Sequence, residues 1–186
     1  MNLKQIISHI DTALKANIKL STQYGFGLAE FYYDGEKRYP GVIDGANITN
    51  PLLRDDYAVS WYHRTTVSEY STVEFNYGDK LDKVQERIPV QLVINCNTIK
   101  LGQSLQTIKD IFASSIPSVL SKAVCESLQL FDCTIELVNA ELNSNIVLRE
   151  ECSIPDVRVG VEHGLIAIRY VIQTTYRRGC ITICEC

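Results

Sequence analysis

No stretch of this chain approaches the ~20 consecutive apolar residues that a membrane-crossing helix requires. The opening MNLKQIISHIDTALKAN alternates polar and apolar residues and has no apolar core of the secretory-signal kind. Synthesis in the cytoplasm with no membrane association is therefore the expectation. The sequence also lacks a phosphate-cradling GxxxxGK loop, a GxGxxG turn, an HExxH helix and a GxSxG elbow. A bare Gly25-Phe26-Gly27 without a following helix carries no dinucleotide meaning. There is no basic surplus: the formal net charge is −4, which argues against a dedicated nucleic-acid binder. Internal repeats and low-complexity segments are absent as well. No catalytic residue, cofactor or metal is assigned on these grounds, and the chain is not expected to be an enzyme.

Cysteine is plentiful but lacks CxxC spacing. The seven, at 96, 125, 133, 152, 180, 184 and 186, form an odd set, read as free and mostly buried thiols in a reducing compartment. A zinc site from Cys180, Cys184, Cys186 and His163 fails on reach. On one continuous strand the outer two cysteines would lie ~20 Å apart, while a tetrahedral site holds its sulfurs ~2.3 Å from zinc.

What is present is a fold of ordinary composition, 186 residues with 46% hydrophobic content, for which one domain is the default. Its most informative stretch is Tyr57 to Tyr77, which alternates apolar and polar residues throughout. A single strand of that length would span roughly 70 Å at ~3.3 Å per residue. A domain of this size has a radius of gyration of about 16 Å, hence a diameter near ~40 Å. The run must therefore break or protrude. After Gly78-Asp79, a tight-turn dipeptide, the apolar parity moves to Val84, Ile88, Val90, Leu92, Ile94 and Cys96. A two-residue loop would set Val73 opposite Val84, Val67 opposite Val90 and His63 opposite Ile94. On the other face Glu74 would meet Lys83 and Tyr70 would meet Arg87. Pro89 cannot donate to a ladder, which places the return strand on an edge or at a bulge. The reading is a hairpin over about 57–96, protruding from a single domain spanning 1–186, apolar at its base and charged at its tip.

Elsewhere Leu3, Ile6, Ile7, Ile10, Leu14 and Ile18 mark an amphipathic helix ending near Asn17. Tyr24 to Tyr33 reads as a strand, Asp34-Gly35 as a turn, and Arg38 to Val42 as a short return strand interrupted at Pro40-Gly41. Gly41 to Asp56 reads as a long loop. Ile99 to Leu130 has helical spacing that Pro117 should kink or split. Cys133 to Leu148 reads as a hairpin about Asn143-Ser144-Asn145, and Glu150 to Gly164 as loop. Leu165 to Tyr176 is a strand, with a turn or bulge at Gly179 before Ile181 and Ile183. The fold class is α+β: a mainly antiparallel sheet with a long hairpin, an N-terminal amphipathic helix, and one kinked or two helices packed on one face.

Among candidate functional residues, His9 reads as solvated and His63 as half-buried packing beside Trp61. His163 sits in a turn without a partner in sequence. Glu150, Glu151 and Asp156, and separately Asp55-Asp56, read as solvated loop charge. Tyr176-Arg177-Arg178 could touch a phosphate or an acidic neighbour. On the ribbon, Tyr62 and Tyr70 are either interface anchors or cross-strand packing. With Phe75, Tyr77, Lys80, Lys83 and Arg87 they form the candidate interface.

The segments Leu3–Leu14, Tyr57–Cys96, Ser104–Leu130 and Leu165–Ile183 together resemble head–tail connector and tail-terminator proteins of tailed bacteriophages. The style of the sequence is also similar to the neck-ring proteins of crAss-like phages. The Gly41–Asp56 loop and the cysteine-rich tail depart from that pattern. The resemblance implies a virion structural protein that forms a homo-oligomeric ring, of six or twelve copies, in the neck or at the head-proximal tail end. Other neck, portal or tail proteins would be its partners, with transient passage of DNA. It implies no catalytic residue. The alternatives left open are a soluble enzyme or ligand-binding domain using dispersed residues such as His63, Arg64 and Glu69, and a conjugation or secretion accessory protein.

Overall fold

A computed structural model describes residues 3–20, 22–44, 47–52, 55–65, 68–76, 81–153, 159–160 and 162–179. Helix α1 (Leu3–Asn17) opens the chain, and Ile6, Ile7, Ile10, Leu14 and the following Ile18 are all buried on one face, as their spacing predicts. Strand β1 (Gln23–Leu28) then pairs in parallel with β5 (Val59–Thr65). Between them lies a separate three-stranded sheet, β2 (Glu30–Asp34), β3 (Lys37–Asp44) and β4 (Asn47–Thr49). The Asp34-Gly35 turn is found: Asp34 pairs with Lys37, and Gly35 takes φ +59°. Pro40 and Gly41 do not interrupt the return strand, because both pair with β2. Part of the expected 41–56 loop is thus strand, its polar residues lying in a short edge meander.

The main sheet is six-stranded and mainly antiparallel, in the order β1-β5-β7-β9-β8, with β6 (Glu69–Asn76) also on β7 (Leu81–Asn97). Strand β9 (His163–Gly179) accompanies β7 without interruption, from Leu81 opposite Gly179 to Asn97 opposite His163. Strand β8 (Asp132–Glu141) closes the order on β9. The long alternating run does break, between Thr65 and Glu69.

Its register differs from the expected one in an instructive way. Near the tip Glu74 faces Lys83, as the two-residue loop requires. A bulge at Val73 then advances the register by one, so Tyr70 faces Glu86 rather than Arg87, and Val84 faces Thr72 rather than Val73. The break before Glu69 advances it by one more, so His63 faces Leu92 and Trp61 faces Ile94. Two single slips restore the parity, which keeps the apolar side of β5 on the core. The Gly78-Asp79 turn and Val67 lie outside the described residues.

Pro89 sits on neither an edge nor a solvent-facing strand: β7 is central, and Pro89 pairs with Val171 of β9. On its other side Thr65 pairs with Val90 and Glu69 with Arg87. The residue without an N–H therefore falls in the gap where β5 has ended and β6 has begun.

The segment after β7 holds α2 (Thr98–Leu101), α3 (Leu105–Ser115), a 3-10 turn at Ile116–Ser118 containing Pro117, and α4 (Lys122–Ser127). Pro117 splits the helices as expected, and Gly102 at φ +59° adds a second division. The expected hairpin about Asn143 is absent. The Asn143 side chain accepts from the N–H groups of Asn145 and Ile146 and starts helix α5 (Ser144–Glu151). A capping asparagine and a turn asparagine look alike in sequence. The rest of the expected 150–164 loop falls partly outside the described residues, as do Ile181 and Ile183.

The sheet is covered on both faces. α1, α3 and α4 pack on one, over a core including Ile10, Trp61, Leu92, Ile94, Phe112, Ile168 and Ile172. The other carries α5 and part of the small sheet, over Tyr62, Val93, Val147, Leu148, Leu165 and Ala167. Among the described residues, no helix is long and apolar enough to cross a membrane.

Candidate functional site

Strand β5 feeds two buried polar networks, one on each face of the sheet, because successive side chains alternate. Trp61 and His63 point toward α1. There Trp61 Nε1 donates to Asp11 Oδ1 over 2.7 Å, and His63 Nε2 lies 2.9 Å from the same oxygen. His63 Nδ1 is 2.8 Å from the Tyr170 hydroxyl. A carboxylate can only accept, so Nε2 carries a proton; in the neutral ring Nδ1 then accepts from Tyr170. His63 is fully buried, not half-buried, and Tyr170 is at 1% exposure. Burial, and next the Asp11 charge, push the Tyr170 phenol well above its usual range.

Asp11 was not among the sequence candidates. The signal for it is its place in the apolar stripe of α1, flanked by Ile7, Ile10 and Leu14. A carboxylate there must be paired or open to a cavity, and this one is both. A cavity of about 330 Å³ opens over Asp11, walled by α1, β1, β2 and β3. Gly25 has to be glycine: a Cβ would fall 2.8 Å from Trp61 Nε1 and 3.1 Å from Asp11 Oδ1. Gly27, at φ +83°, stands next to the same carboxylate. The bare GxG of the sequence thus serves close approach to Asp11, not phosphate binding.

On the opposite face Tyr62 donates its hydroxyl to Glu151 Oε2 over 3.0 Å, and Arg64 and Gln91 donate to Glu151 Oε1 over 3.1 and 2.9 Å. Arg169 grips both oxygens of Glu150 at 2.6 and 2.7 Å and reaches Gln91 Oε1 at 3.1 Å. Arg38 and Arg64 both stand over the Phe31 ring, at 4.4 and 4.6 Å. Glu150 and Glu151 are therefore not solvated loop charge: Glu151 is fully buried at the end of α5. Burial and the neighbouring Glu151 push the Tyr62 phenol well up. Burial, then Glu151, raises the Cys152 thiol to about 11.

The candidate interface residues divide. Tyr62 is a correction: its exposure is 0% and its hydroxyl is spent on Glu151, so it is no surface anchor. Alternation told which residues share its face, but not that α5 covers that face. Lys83 places Nζ 5.4 Å from the ring centroid of Phe131, just before β8, and Arg87 lies 3.6 Å from Glu136 within β8. Tyr70 and Phe75 have their backbones in β6, with side chains outside the described set. Tyr77 and Lys80 lie outside the described residues, as do Asp156, Cys180, Cys184 and Cys186. His63, Arg64 and Glu69 are not brought together. His63 turns to Asp11, Arg64 to Glu151, and Glu69 is exposed beyond the break. His9 is exposed, and His163 stands 3.2 Å from Asp55. Cys96, Cys125, Cys133 and Cys152 are free and buried. Among the described residues no three acidic, histidine or cysteine side chains are grouped to hold a metal.

No protein-family model matches the chain, and no curated protein matches it either.

Proposed function

We propose that the chain is a structural virion protein that assembles into a ring in the neck, or at the head-proximal tail end, of a tailed phage, joining portal to tail. The observation that supports this best is the length of the β7–β9 ladder beside an open edge. Seventeen residues pair without interruption, a run of roughly 55 Å at ~3.4 Å per residue. That exceeds the ~40 Å breadth of a compact domain of this size.

Next to it, β8 pairs among the described residues with β9 alone. It carries Leu137 at 38% and Val138 at 60% exposure, with Phe131 at 54% just before it. An open strand edge bearing apolar side chains is a template for another chain. Used head to tail against a different surface of the next copy, it gives a heterologous contact that closes into a ring. The net charge of −4 suits a conduit that DNA must pass without sticking.

Native mass spectrometry with negative-stain microscopy tests the reading. A closed ring is expected for the natural chain. The V138K substitution, at the bulged and exposed edge position, should yield smaller species with unchanged circular dichroism. A monomer at every concentration, or a variant that assembles like the natural chain, would overturn assembly through the β8 edge.

A further inference from the structure

The cleft over Asp11 is walled by β1, at the opposite end of the main sheet from β8, and has the features of a ligand site. Asp11 is at 6% exposure, yet it is one of the residues lining the cavity. Among the described residues, every hydrogen bond it accepts lands on Oδ1, from Trp61 and His63. Oδ2 receives none, and the nearest glycine, Gly27, leaves its side open, with a hypothetical Cβ 3.8 Å away. A carboxylate held this firmly in a cavity wall, with both bonds from the described residues on one oxygen, keeps the other able to accept from something that enters.

The walls narrow the chemistry. Tyr32 supplies aromatic surface, Ile7 apolar surface, and Glu30 a second carboxylate, while Phe26 and Val42, also at the cleft, pack against the opposite core. Lys4 and Lys15 also line the cleft. The Lys15 ammonium, however, lies over the ring of Tyr24 at 5.2 Å, and Tyr24 is not a lining residue. Its charge is thereby already engaged by an aromatic ring. Lys4 already has an interaction partner of its own, so a cationic donor on a short apolar stem fits the remaining walls: charge on Asp11 Oδ2, stem beside Ile7 and Tyr32. The volume of about 330 Å³ falls at the small end of ligand pockets.

We propose that this cleft binds a small alkylammonium or alkylguanidinium compound, with Asp11 Oδ2 as its acceptor and the Trp61–His63–Tyr170 network holding that carboxylate in place.

The chain contains one tryptophan, and its indole N–H is bonded to Asp11. The single indole cross-peak in a proton–nitrogen correlation spectrum therefore reports directly on the site. Titration with n-butylammonium should move that peak saturably, whereas n-butanol at the same concentrations should leave it in place. S8F fills the cleft from an exposed position of α1 without replacing a buried residue, and it should abolish the shift. D11N should abolish it too, and S8F carries the test if D11N does not fold. No movement of the peak, equal movement with butanol, or a shift that survives in S8F would overturn the proposal. Read with relaxation-optimised detection on deuterated protein, the observable is the position of the peak and not its width, so the outcome is separable from ring formation.

Discussion

Glu151 is the most demanding residue in the molecule, a fully buried carboxylate surrounded by Tyr62, Arg64 and Gln91. Its charge is compensated at close range by Arg64, whose terminal nitrogen lies 3.0 Å from Oε1 and whose side chain is only 15% exposed. Removing one partner of such a pair strands the other in a medium that solvates it poorly. R64M should therefore cost about 3–5 kcal/mol. Replacing both partners by apolar groups of similar size removes the stranded charge along with the attraction. The double variant R64M/E151L should recover most of the loss, although the Tyr62 hydroxyl and Gln91 amide keep a smaller penalty. Urea denaturation of the single and double variants measures the difference. A single variant as stable as the natural chain would show that Glu151 is solvated, contrary to its burial.

Helix α5 shows how one side chain selects an element. Its eight residues are too few to hold a helix by propensity, and the Asn143 side chain closes the first turn by accepting from two N–H groups. N143A should cost about 1 kcal/mol and speed amide exchange across 144–151, read by hydrogen-exchange mass spectrometry. Unchanged exchange there would mean that packing of Val147 and Leu148 alone sets the helix. The same element marks the limit of what the sequence discloses. The asparagine was legible as punctuation, but whether it turns a strand or caps a helix depends on the packing of Val147 and Leu148, which no local pattern states. The α1 stripe, the split at Pro117 and the Asp34-Gly35 turn were legible because each rests on a local steric or periodic rule. The hairpin was legible in parity, since two slips of one residue cancel, but not in register, which bulges control. The site was legible least. Asp11 and His63 are 52 positions apart, and only the packing of α1 on β5 makes them neighbours. Tyr62 was misplaced for the same reason: the alternation of β5 is visible, while the helix that covers its second face comes from 82 residues beyond Tyr62, starting at Ser144.

At the scale of the whole molecule, the two cores share one sheet, and both hold thiols and phenols that burial keeps protonated. Cys96, on the α1 side, is raised from 9.0 to about 12 by burial. Cys152, on the α5 side, is raised to about 11. Tyr170 and Tyr62, one in each core, are shifted upward in the same sense. The direction of the linkage follows. Well below pH 9 the thiols are neutral in both the folded and the unfolded chain and contribute little slope. Above it the unfolded chain releases protons that the folded chain retains, so the unfolded state is favoured as pH rises. Cys96 alone contributes a slope approaching about 1.4 kcal/mol per pH unit between its unfolded value and its folded one. Thermal unfolding should therefore be nearly independent of pH from 7 to 8.5 as far as these groups are concerned, and should fall steeply from pH 9 upward. Because β7 carries Leu92 and Ile94 into one core and Val93 into the other, the loss should appear as a single transition. Trp61 fluorescence reports one face of the sheet, and an α5-side probe attached at exposed Ser153 reports the other. Coincident curves whose midpoint drops above pH 9 are expected. C96A should make that drop shallower even though the cavity it leaves lowers stability at every pH. A midpoint flat to pH 11, or two separate transitions, would mean that the faces unfold independently or that water already reaches the thiols.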